Sequence, residues 1–297
     1  ALSPTSFEGT VGSVAQQEPT VVVTDRSGNP VPNVTVAFSF YGQAETAVAP
    51  IRRSEVLTNQ QGIASAGEWT LGNTAGPNLL QATIIGAPQL WFVANGLPDT
   101  PVALVWMKDN QGEIGFAGMV LQPPRVLVGD RFGNSVLGIH VTFDITAGGG
   151  ALEGAVAVTD DHGASAVAWT LGATPGPNTL SARVPGLPSI DFTIEVVAAS
   201  AIYDLTMIDD EPLDWWHIES AFIAFTDDGR FVSQVTWNFG EEREVWTESG
   251  SYTMSGPTVV LEYAGHQDTG ALANGVLVLD RWDEEGPTRQ WRYYIRD

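Results

Sequence analysis

The chain contains no cysteine, a single lysine and no apolar run long enough to cross a bilayer. Without cysteine it forms no disulfide bond and no thiolate metal site, which excludes a small disulfide-stabilised scaffold. A membrane-spanning helix needs about 20 consecutive apolar residues, so we expect no membrane insertion. No segment of about a dozen residues keeps helical periodicity either. These absences favour a globular chain built without long helices.

Positive charge is scarce along the whole chain. Thirteen basic residues stand against 35 acidic ones, and the formal net charge at pH 7 is −22. Residues 199–297 alone hold 19 acidic and 6 basic residues. Such a surface repels phosphate backbones and anionic lipid headgroups. The composition therefore predicts that nucleic acid is not a partner.

A ten-residue motif occurs twice in the sequence. Residues 69–78 read Trp-Thr-Leu-Gly-Asn-Thr-Ala-Gly-Pro-Asn, and residues 169–178 read Trp-Thr-Leu-Gly-Ala-Thr-Pro-Gly-Pro-Asn. Upstream, the turn Asp25–Asn29 returns as Asp130–Asn134. A period of about 100 residues exceeds one supersecondary unit, so it indicates a domain copied in tandem. The first copy has extra residues between its two motifs, which we place around Tyr41–Arg53.

Both copies show the pattern of short strands joined by turns. The chain has 32 glycines and 18 prolines, and between them lie alternating β-branched runs such as Thr20–Thr24 and Val141–Ile145. Period-two alternation with turn signals about every 8–12 residues predicts an all-β sandwich or barrel. The two tryptophans of the repeated motif, Trp69 and Trp169, are expected at equivalent buried positions.

The ordered motifs resemble the bacterial immunoglobulin-like domains of the invasin and intimin group. The resemblance rests on Asp-x-x-Gly-Asn-Pro-Val, Thr-Asp-x-x-Gly-x-Ala, Trp-Thr-Leu-Gly and Gly-Pro-Asn, and it covers about residues 7–98 and 101–198. The second copy also carries the glycine turn Gly148–Gly150, which the first copy lacks. The resemblance implies β-sandwiches used as extracellular spacers or adhesive modules on a bacterial surface. It implies no catalytic residues.

After Ser200 the repeat motifs end and tryptophans cluster. About eight short strands in about a hundred residues favour a small up-and-down β-barrel, because closure removes the sheet edges. Asp227–Gly229 and Ser255-Gly256 are predicted hairpin turns. The opening Tyr203-Asp204-Leu205 and the closing Trp291–Tyr294 resemble small lipocalin-like barrels. The predicted strands lie near residues 203–208, 221–226, 230–239, 243–248, 249–254, 258–263, 274–280 and 289–296.

The predicted fold class is all-β, with three domains in a row. Residues 1–98 and 99–198 form immunoglobulin-like sandwiches in tandem, and residues 199–297 form a lipocalin-like antiparallel β-barrel. We expect the first sandwich to lack its first strand.

No catalytic motif is recognisable, and we predict no catalytic residue, no metal site and no cofactor. The sequence has no nucleophile elbow, phosphate loop, dinucleotide fingerprint or zinc-helix motif, and its four histidines are scattered. Clustered carboxylates at Asp209–Glu211 and Asp283–Glu285 suit calcium chemically, but neither run has the spacing of a calcium loop. We interpret both runs as solvated acidic loops.

The predicted barrel offers one candidate ligand site. Aromatic side chains at a barrel mouth bind apolar molecules or sugars. The alternative is that they fill the barrel, because an eight-stranded barrel is just wide enough for side chains. The candidate ligand-binding residues are Trp215, Trp216, Trp237 and Trp246.

A second candidate site comes from comparing the starts of the two copies. Aligning Asp25 with Asp130 places Ala1 and Leu2 opposite Trp106 and Met107, so the strand predicted at 101–107 has no counterpart in the first copy. A sandwich without its first strand exposes unpaired backbone groups that accept another strand. Two alternatives stay open: residues 1–7 cover this edge themselves, or the chain has been trimmed there. The candidate assembly residues are Ala1, Leu2, Phe7, Val102, Leu104 and Trp106.

The sequence thus predicts a non-enzymatic, extracellular structural or adhesive protein of bacterial-surface type. Its expected partners are other copies of itself, in a head-to-tail fibre assembled by β-strand complementation, or cell-surface molecules. The alternative is a secreted binding protein whose barrel holds a small apolar molecule or sugar.

Overall fold

A computed structural model describes residues 1–42, 51–107, 114–121, 124–240, 243–281 and 289–296. The described residues form 27 strands and one short 3-10 helix, Leu213–Trp216. No helix among them has the length and apolarity needed to cross a membrane. They fold as two compact units, one of residues 1–103, 128–138 and 161–163, the other of residues 104–127, 139–160 and 164–297.

The first copy is a β-sandwich. One sheet has the strand order β1-β7-β6-β3-β4, in which β1 runs parallel to β7 and the other pairs are antiparallel. The second sheet is the antiparallel pair β2-β5. The strands are β1 Ser6–Thr10, β2 Thr20–Val22, β3 Thr35–Gly42, β4 Glu55–Leu57, β5 Ile63–Ser65, β6 Gly76–Thr83 and β7 Leu90–Leu97. Most of the extra residues predicted around Tyr41–Arg53 lie outside the described part of the chain.

The second copy repeats this plan with eleven strands among its described residues, against seven in the first copy. Its sheets have the orders β14-β12-β17-β18-β9, β15-β11-β8 and β10-β16-β13. Strand β9 runs parallel to β18, as β1 does to β7. The strands are β8 Ala103–Met107, β9 Ile114–Phe116, β10 Val120–Leu121, β11 Arg125–Gly129, β12 His140–Ala147, β13 Gly150–Leu152, β14 Val156–Val158, β15 Ala164–Ala166, β16 Trp169–Leu171, β17 Gly176–Arg183 and β18 Ile190–Val197.

The two repeated tryptophans occupy equivalent core positions, as predicted. Trp69 and Trp169 are both 0% exposed, and each has a phenylalanine ring edge-on beside it. Neither indole N–H has a hydrogen-bond acceptor among the described residues. The indoles therefore stabilise the sandwiches through apolar packing.

The repeated Gly-Pro-Asn motif has a structural purpose. The amide group of Asn178 is buried, and its oxygen accepts a hydrogen bond of 2.9 Å from the backbone N–H of Gly172. In the first copy Asn78 accepts the same bond from Gly72 at 2.7 Å. Each asparagine therefore satisfies a buried amide in the turn that follows the tryptophan strand.

The C-terminal region is a closed antiparallel barrel of eight strands. Strand β19 pairs with both β21 and β27, which closes the ring, and the short β20 pairs only with β19. The strands are β19 Ala201–Ile208, β20 Glu211–Pro212, β21 Ile218–Phe225, β22 Arg230–Asn238, β23 Arg243–Ser255, β24 Thr258–Tyr263, β25 His266–Ala273, β26 Val276–Arg281 and β27 Arg289–Ile295.

Two of the predicted barrel strands were wrong in detail. The segments predicted at 243–248 and 249–254 form the single strand β23, and β25 was not predicted. A Cβ at Gly250 in β23 would lie 2.0 Å from the Glu262 carbonyl oxygen. At Gly270 in β25, a Cβ lies 2.1 Å from the Val278 carbonyl oxygen. Both glycines serve the close approach of a neighbouring strand, which sequence alone does not distinguish from a turn.

Replacing Asn178 with alanine leaves the buried N–H of Gly172 without a partner. We expect Asn178→Ala to lower the free energy of unfolding by about 1–3 kcal/mol, the usual cost of such a loss. Asn78→Ala should cost a similar amount. The measurement is urea unfolding, with Asn95→Ala as the control, because Asn95 is an exposed strand residue. Equal stability of the Asn178 and Asn95 variants would contradict the assignment.

Candidate assembly site

One edge of strand β2 has no strand beside it among the described residues. Val21 and Val23 direct their backbone groups toward β5, so Val22 directs its own toward the other side. On that side the amide of Leu2 donates to the carbonyl of Thr20 at 2.8 Å, at the start of β2. Val22 itself is 38% exposed. The edge is thus covered at its first residue and open beyond it.

In the second copy the equivalent edge is covered. Strand β8 lies beside β11, and the amide of Val102 donates to the carbonyl of Gly129 at 2.9 Å. Leu104 is buried, and the ring of Trp106 lies 6.4 Å from Phe143 and 5.6 Å from Phe192. Val102 is exposed. Strand β8 therefore supplies both backbone pairing and core side chains.

An open groove of about 230 Å³ lies beside the uncovered edge of β2. Val23 and Ile84, which line it, are only partly buried, whereas their counterparts Val128 and Val184 are 1% and 4% exposed. The groove is smaller than the ~300–1,000 Å³ of ordinary small-molecule clefts. The groove residues are Val21, Val22, Val23, Thr24, Val36, Ala82, Thr83, Ile84, Ala87, Pro88 and Leu90.

Of the remaining candidate assembly residues, Phe7 lies in the other sheet and Leu2 lies at one end of the β2 edge. Phe7 belongs to β1, which pairs with β7 in the other sheet, and its ring packs against Trp69 at 5.7 Å. Ala1 and Leu2 are exposed, and among residues 1–7 only Leu2 and Ser3 bond to β2. Residues 1–7 therefore cover one end of the β2 edge and leave the rest of it open.

A hydrogen-bonded junction within the first unit joins the turn Asp130–Asn134 to the first sandwich. The amide group of Asn134 donates to the carbonyl of Asn73 and accepts from the amide of Ala75, both at 2.8 Å. The amide of Asp99 donates to the Asp130 carboxylate at 2.9 Å. The turn that the sequence marked as a repeated motif therefore also ties the two copies together, which the motif alone did not indicate.

The Asp130 carboxylate is held ionised by this junction. Burial raises its pKa, but hydrogen bonds from the Asn134 side chain and from the amides of Asp99, Asn134 and Phe132 outweigh that effect, so the pKa lies below its usual value of 3.8. In the first copy the turn of Asp25 is exposed, and hydrogen bonds from Asn29 lower the pKa of Asp25.

The candidate ligand-binding tryptophans with described side chains have different surroundings. Trp237 and Trp246 meet edge to face at 5.7 Å, with Trp246 57% exposed. Trp216 packs against the barrel core, with the guanidinium of Arg289 4.5 Å from its ring centre. The side chain of Trp215 lies outside the described part of the structure. The barrel interior is filled by fully buried side chains: Ile223, Phe231, Val259, Leu261, Leu277, Leu279 and Tyr293.

The sequence did not reveal a buried arginine inside the barrel. Arg281 donates to Asp268 at 3.1 Å and to Ser233 at 3.3 Å, and it also bonds to Glu248. Its guanidinium lies 4.9 Å from the ring centre of Trp291. These partners engage each of its nitrogens, so the arginine stabilises the barrel interior rather than presenting a free cation to a ligand.

The acidic loop at Asp209 and Asp210 is engaged by arginines. Arg289 lies 3.2 Å from Asp209, and Arg292 lies 2.8 Å from Asp210. Within the described ranges, no group of three histidine, aspartate or glutamate side chains is placed to hold a metal ion. The run Asp283–Glu285 lies outside the described residues.

No protein-family model matches the chain, and no curated protein sequence matches it. Among solved structures, the Escherichia coli adhesin FdeC is similar to 86% of this chain over 90% of its own length, with 14% identity and a TM-score of 0.47. The D0-D1 domain of intimin aligns with 65% of this chain over 95% of its own length, with 20% identity and a TM-score of 0.27. Invasin, a bacterial integrin-binding protein, aligns with 96% of this chain over 77% of its own length, with 12% identity and a TM-score of 0.30.

Replacing Asn134 with alanine removes both of its bonds to the first sandwich. We expect Asn134→Ala to lower the free energy of unfolding by about 1–3 kcal/mol, because a carbonyl and an amide lose their partners. Asn29→Ala is the matched control, since Asn29 holds the same position in an exposed turn. Chemical denaturation measures both variants. An equal loss in the free energy of unfolding for the two variants would contradict a stabilising contribution from the junction.

The lowered pKa of Asp130 predicts a pH dependence. A free aspartate has a pKa of about 3.9, so the Asp130 contribution to stability is complete above that pH and disappears as pH falls through the folded value. Unfolding measured from pH 5 to pH 2 should show a steeper loss for the parent protein than for Asp130→Asn. Asp191→Asn serves as the control, because Asp191 is an exposed strand residue. Parallel curves for the parent and Asp130→Asn would refute the assignment.

Proposed function

We propose that this chain is a non-enzymatic extracellular structural or adhesive protein of bacterial-surface type, and that copies assemble head to tail by β-strand complementation. The open edge of β2 with its apolar groove carries the proposal. The expected partners are other copies of the chain or cell-surface molecules. The boundaries near residues 98 and 198 and the lipocalin-like character of the barrel belong to the same proposal.

The use of the repeated motifs supports a structural role. The side chains of Asp25, Asn78 and Asn134 accept hydrogen bonds from backbone groups of turns. Residues employed in this way build modules and join them, whereas a catalytic site needs groups directed at a substrate. The ordered motifs that resemble the invasin and intimin group agree with an adhesive or spacer role.

The open edge provides a physical route to assembly. Beyond Thr20, the outward backbone groups of β2 have no strand partner in the described chain, so an incoming strand gains main-chain hydrogen bonds there. A donor segment and an acceptor groove are different surfaces, and such a heterologous contact propagates into an open filament when its rotation does not close a ring. An open strand edge makes a monomer prone to aggregation, and the same edge favours the assembly of a polymer.

The alternative function, ligand binding by the barrel, rests on the edge-to-face pair of Trp237 and the exposed Trp246. Aromatic faces of this kind bind sugars or apolar molecules. The filled interior favours the structural role instead, because buried side chains occupy the barrel and Trp237 packs against them.

Val22→Pro tests the assembly proposal, because proline removes the outward N–H of Val22 and is tolerated at a strand edge. We expect filaments of the parent protein and of Val22→Thr by negative-stain microscopy, and shorter or absent filaments of Val22→Pro. Added sodium chloride should strengthen assembly, since about 0.15 M salt screens charges beyond ~8 Å and the net charge is −22. A protein that stays monomeric by light scattering at every concentration contradicts the proposal.

A further inference from the structure

We infer that the outer face of the larger sheet in the first sandwich binds an uncharged oligosaccharide of a cell surface. The inference rests on the proposed adhesive role and names the chemistry of its partner. It concerns the sheet β1-β7-β6-β3-β4 and involves neither β2 nor the groove beside it.

Alternation along three neighbouring strands defines this face. Phe38, Leu80 and Phe92 are at most 3% exposed and point into the core. Side chains one position away along each strand therefore point outward. The sheet register aligns these outward side chains in two rows. The rows are Tyr41, Leu79 and Val93, and Ser39, Gln81 and Trp91.

The second copy carries a solvated face at the same place. The hydroxyl oxygens of Thr179 and Thr193 lie 2.9 Å apart, and Asp144 forms an ion pair with Arg183. Polar and charged side chains that bond to one another are an ordinary covering for an outward strand face. The matching rows are Ala147, Thr179 and Thr193, and Asp144, Ser181 and Asp191.

The two copies agree in the core beneath this face and differ on the face itself. The core residues Leu80, Ala82 and Phe92 recur as Leu180, Ala182 and Phe192. By contrast, Trp91 stands where the second copy has Asp191, and Tyr41 stands where it has Ala147. The sandwich therefore folds without these two aromatic rings. Exposed aromatic residues that the core does not need indicate a binding surface.

Hydrogen bonds hold the aromatic rings in place. The rings of Tyr41 and Trp91 meet edge to face at 5.1 Å. The Tyr41 hydroxyl donates to Oε1 of Gln81 at 3.3 Å, and the Gln81 amide donates to Oε1 of Gln89 at 2.7 Å. Gln81 is only 6% exposed, so it anchors the tyrosine from below. The exposed Gln89 adds an amide group beside the rings.

An uncharged sugar is the ligand class that matches this surface. The C–H face of a sugar ring packs on an aromatic ring, and its hydroxyl groups bond to side-chain amides. The two rows hold no charged side chain, and the net charge of −22 disfavours an anionic glycan. Because neighbouring strands lie about 4.8 Å apart, the three strands span about 10 Å. This length favours an oligosaccharide over a single sugar.

The aromatic area is too small for a stable protein interface. Tyr41 is 47% exposed and Trp91 is 38% exposed. Since an aromatic residue buries about 150–250 Å² when it is fully covered, the two rings leave on the order of 200 Å² open. A stable interface covers about 800 Å² on each partner. A second copy or a protein receptor therefore gains little here, whereas one or two sugar rings cover the aromatic pair.

Isothermal titration calorimetry of the full chain with cellohexaose, maltohexaose and N-acetylchitohexaose tests the inference. We expect saturable binding of at least one of the three. Trp91→Ala and Tyr41→Ala should each weaken it at least about tenfold, because each removes an aromatic contact. Thermal unfolding of both variants checks that they are folded. Binding of none of the three sugars, or equal binding by folded Trp91→Ala, would overturn the inference.

Trp246→Ala is the matched control, because it removes an exposed indole from the barrel. We expect it to bind the sugar as the parent protein does. Loss of binding in Trp246→Ala with full binding by Trp91→Ala assigns the sugar to the barrel and overturns the inference. A heparin hexasaccharide tests the charge argument, and binding as tight as that of the neutral sugars contradicts it.

Monosaccharides distinguish a surface glycan from a free sugar. Glucose and N-acetylglucosamine should bind more weakly than the corresponding hexasaccharides, because a single ring covers only part of the two rows. Equal affinity for the monosaccharide and its hexasaccharide indicates a site for a free sugar and overturns the inference.

The sugar site and strand complementation fail in different ways. Sugar binding by a protein that never forms filaments supports the sugar site and contradicts strand complementation. Filaments of a protein that binds none of the sugars support strand complementation and overturn the sugar site. Val22→Pro should keep the sugar affinity of the parent protein, and Trp91→Ala should keep its filaments.

Discussion

The pairing of backbone groups at sheet edges is the constraint on which this structure depends. Every strand offers N–H and C=O groups on two sides, and an uncovered side attracts another strand. The barrel meets the constraint by closure, since β19 pairs with both β21 and β27. The second copy covers β11 with β8. Among the described residues, the first copy leaves most of one side of β2 uncovered, which distinguishes the two related sandwiches.

Turn chemistry explains why the repeated motifs are so well matched. Asp25 and Asp130 each accept hydrogen bonds from amides of their own turn, and Asn78 and Asn178 each satisfy a buried glycine amide. Short polar side chains that bond to the local backbone fix loops that lack sheet partners. In the second copy the same turn also reaches Asn73 and Ala75 through Asn134. The hydrogen bonds of this turn thus stabilise both the loop itself and its contact with residues 73–75.

The sequence predicted the sandwiches well and the barrel less completely. Alternation, turn signals and repetition are local properties, so they indicated the two sandwiches and the burial of Trp69 and Trp169. Strand β25 and the continuity of β23 depend on how closely β24 and β26 approach Gly250 and Gly270, which is a non-local property. The groove is non-local as well, because its walls come from four separate segments.

The buried Arg281 shows how the barrel interior accommodates a charge. A guanidinium in an apolar interior is tolerated only when its hydrogen bonds and charge are matched. Arg281 achieves this with Asp268, Glu248 and Ser233, and these side chains together with Trp291 occupy the space that a ligand requires. The described interior of this chain is thus committed to stability, in the barrel as in the sandwiches.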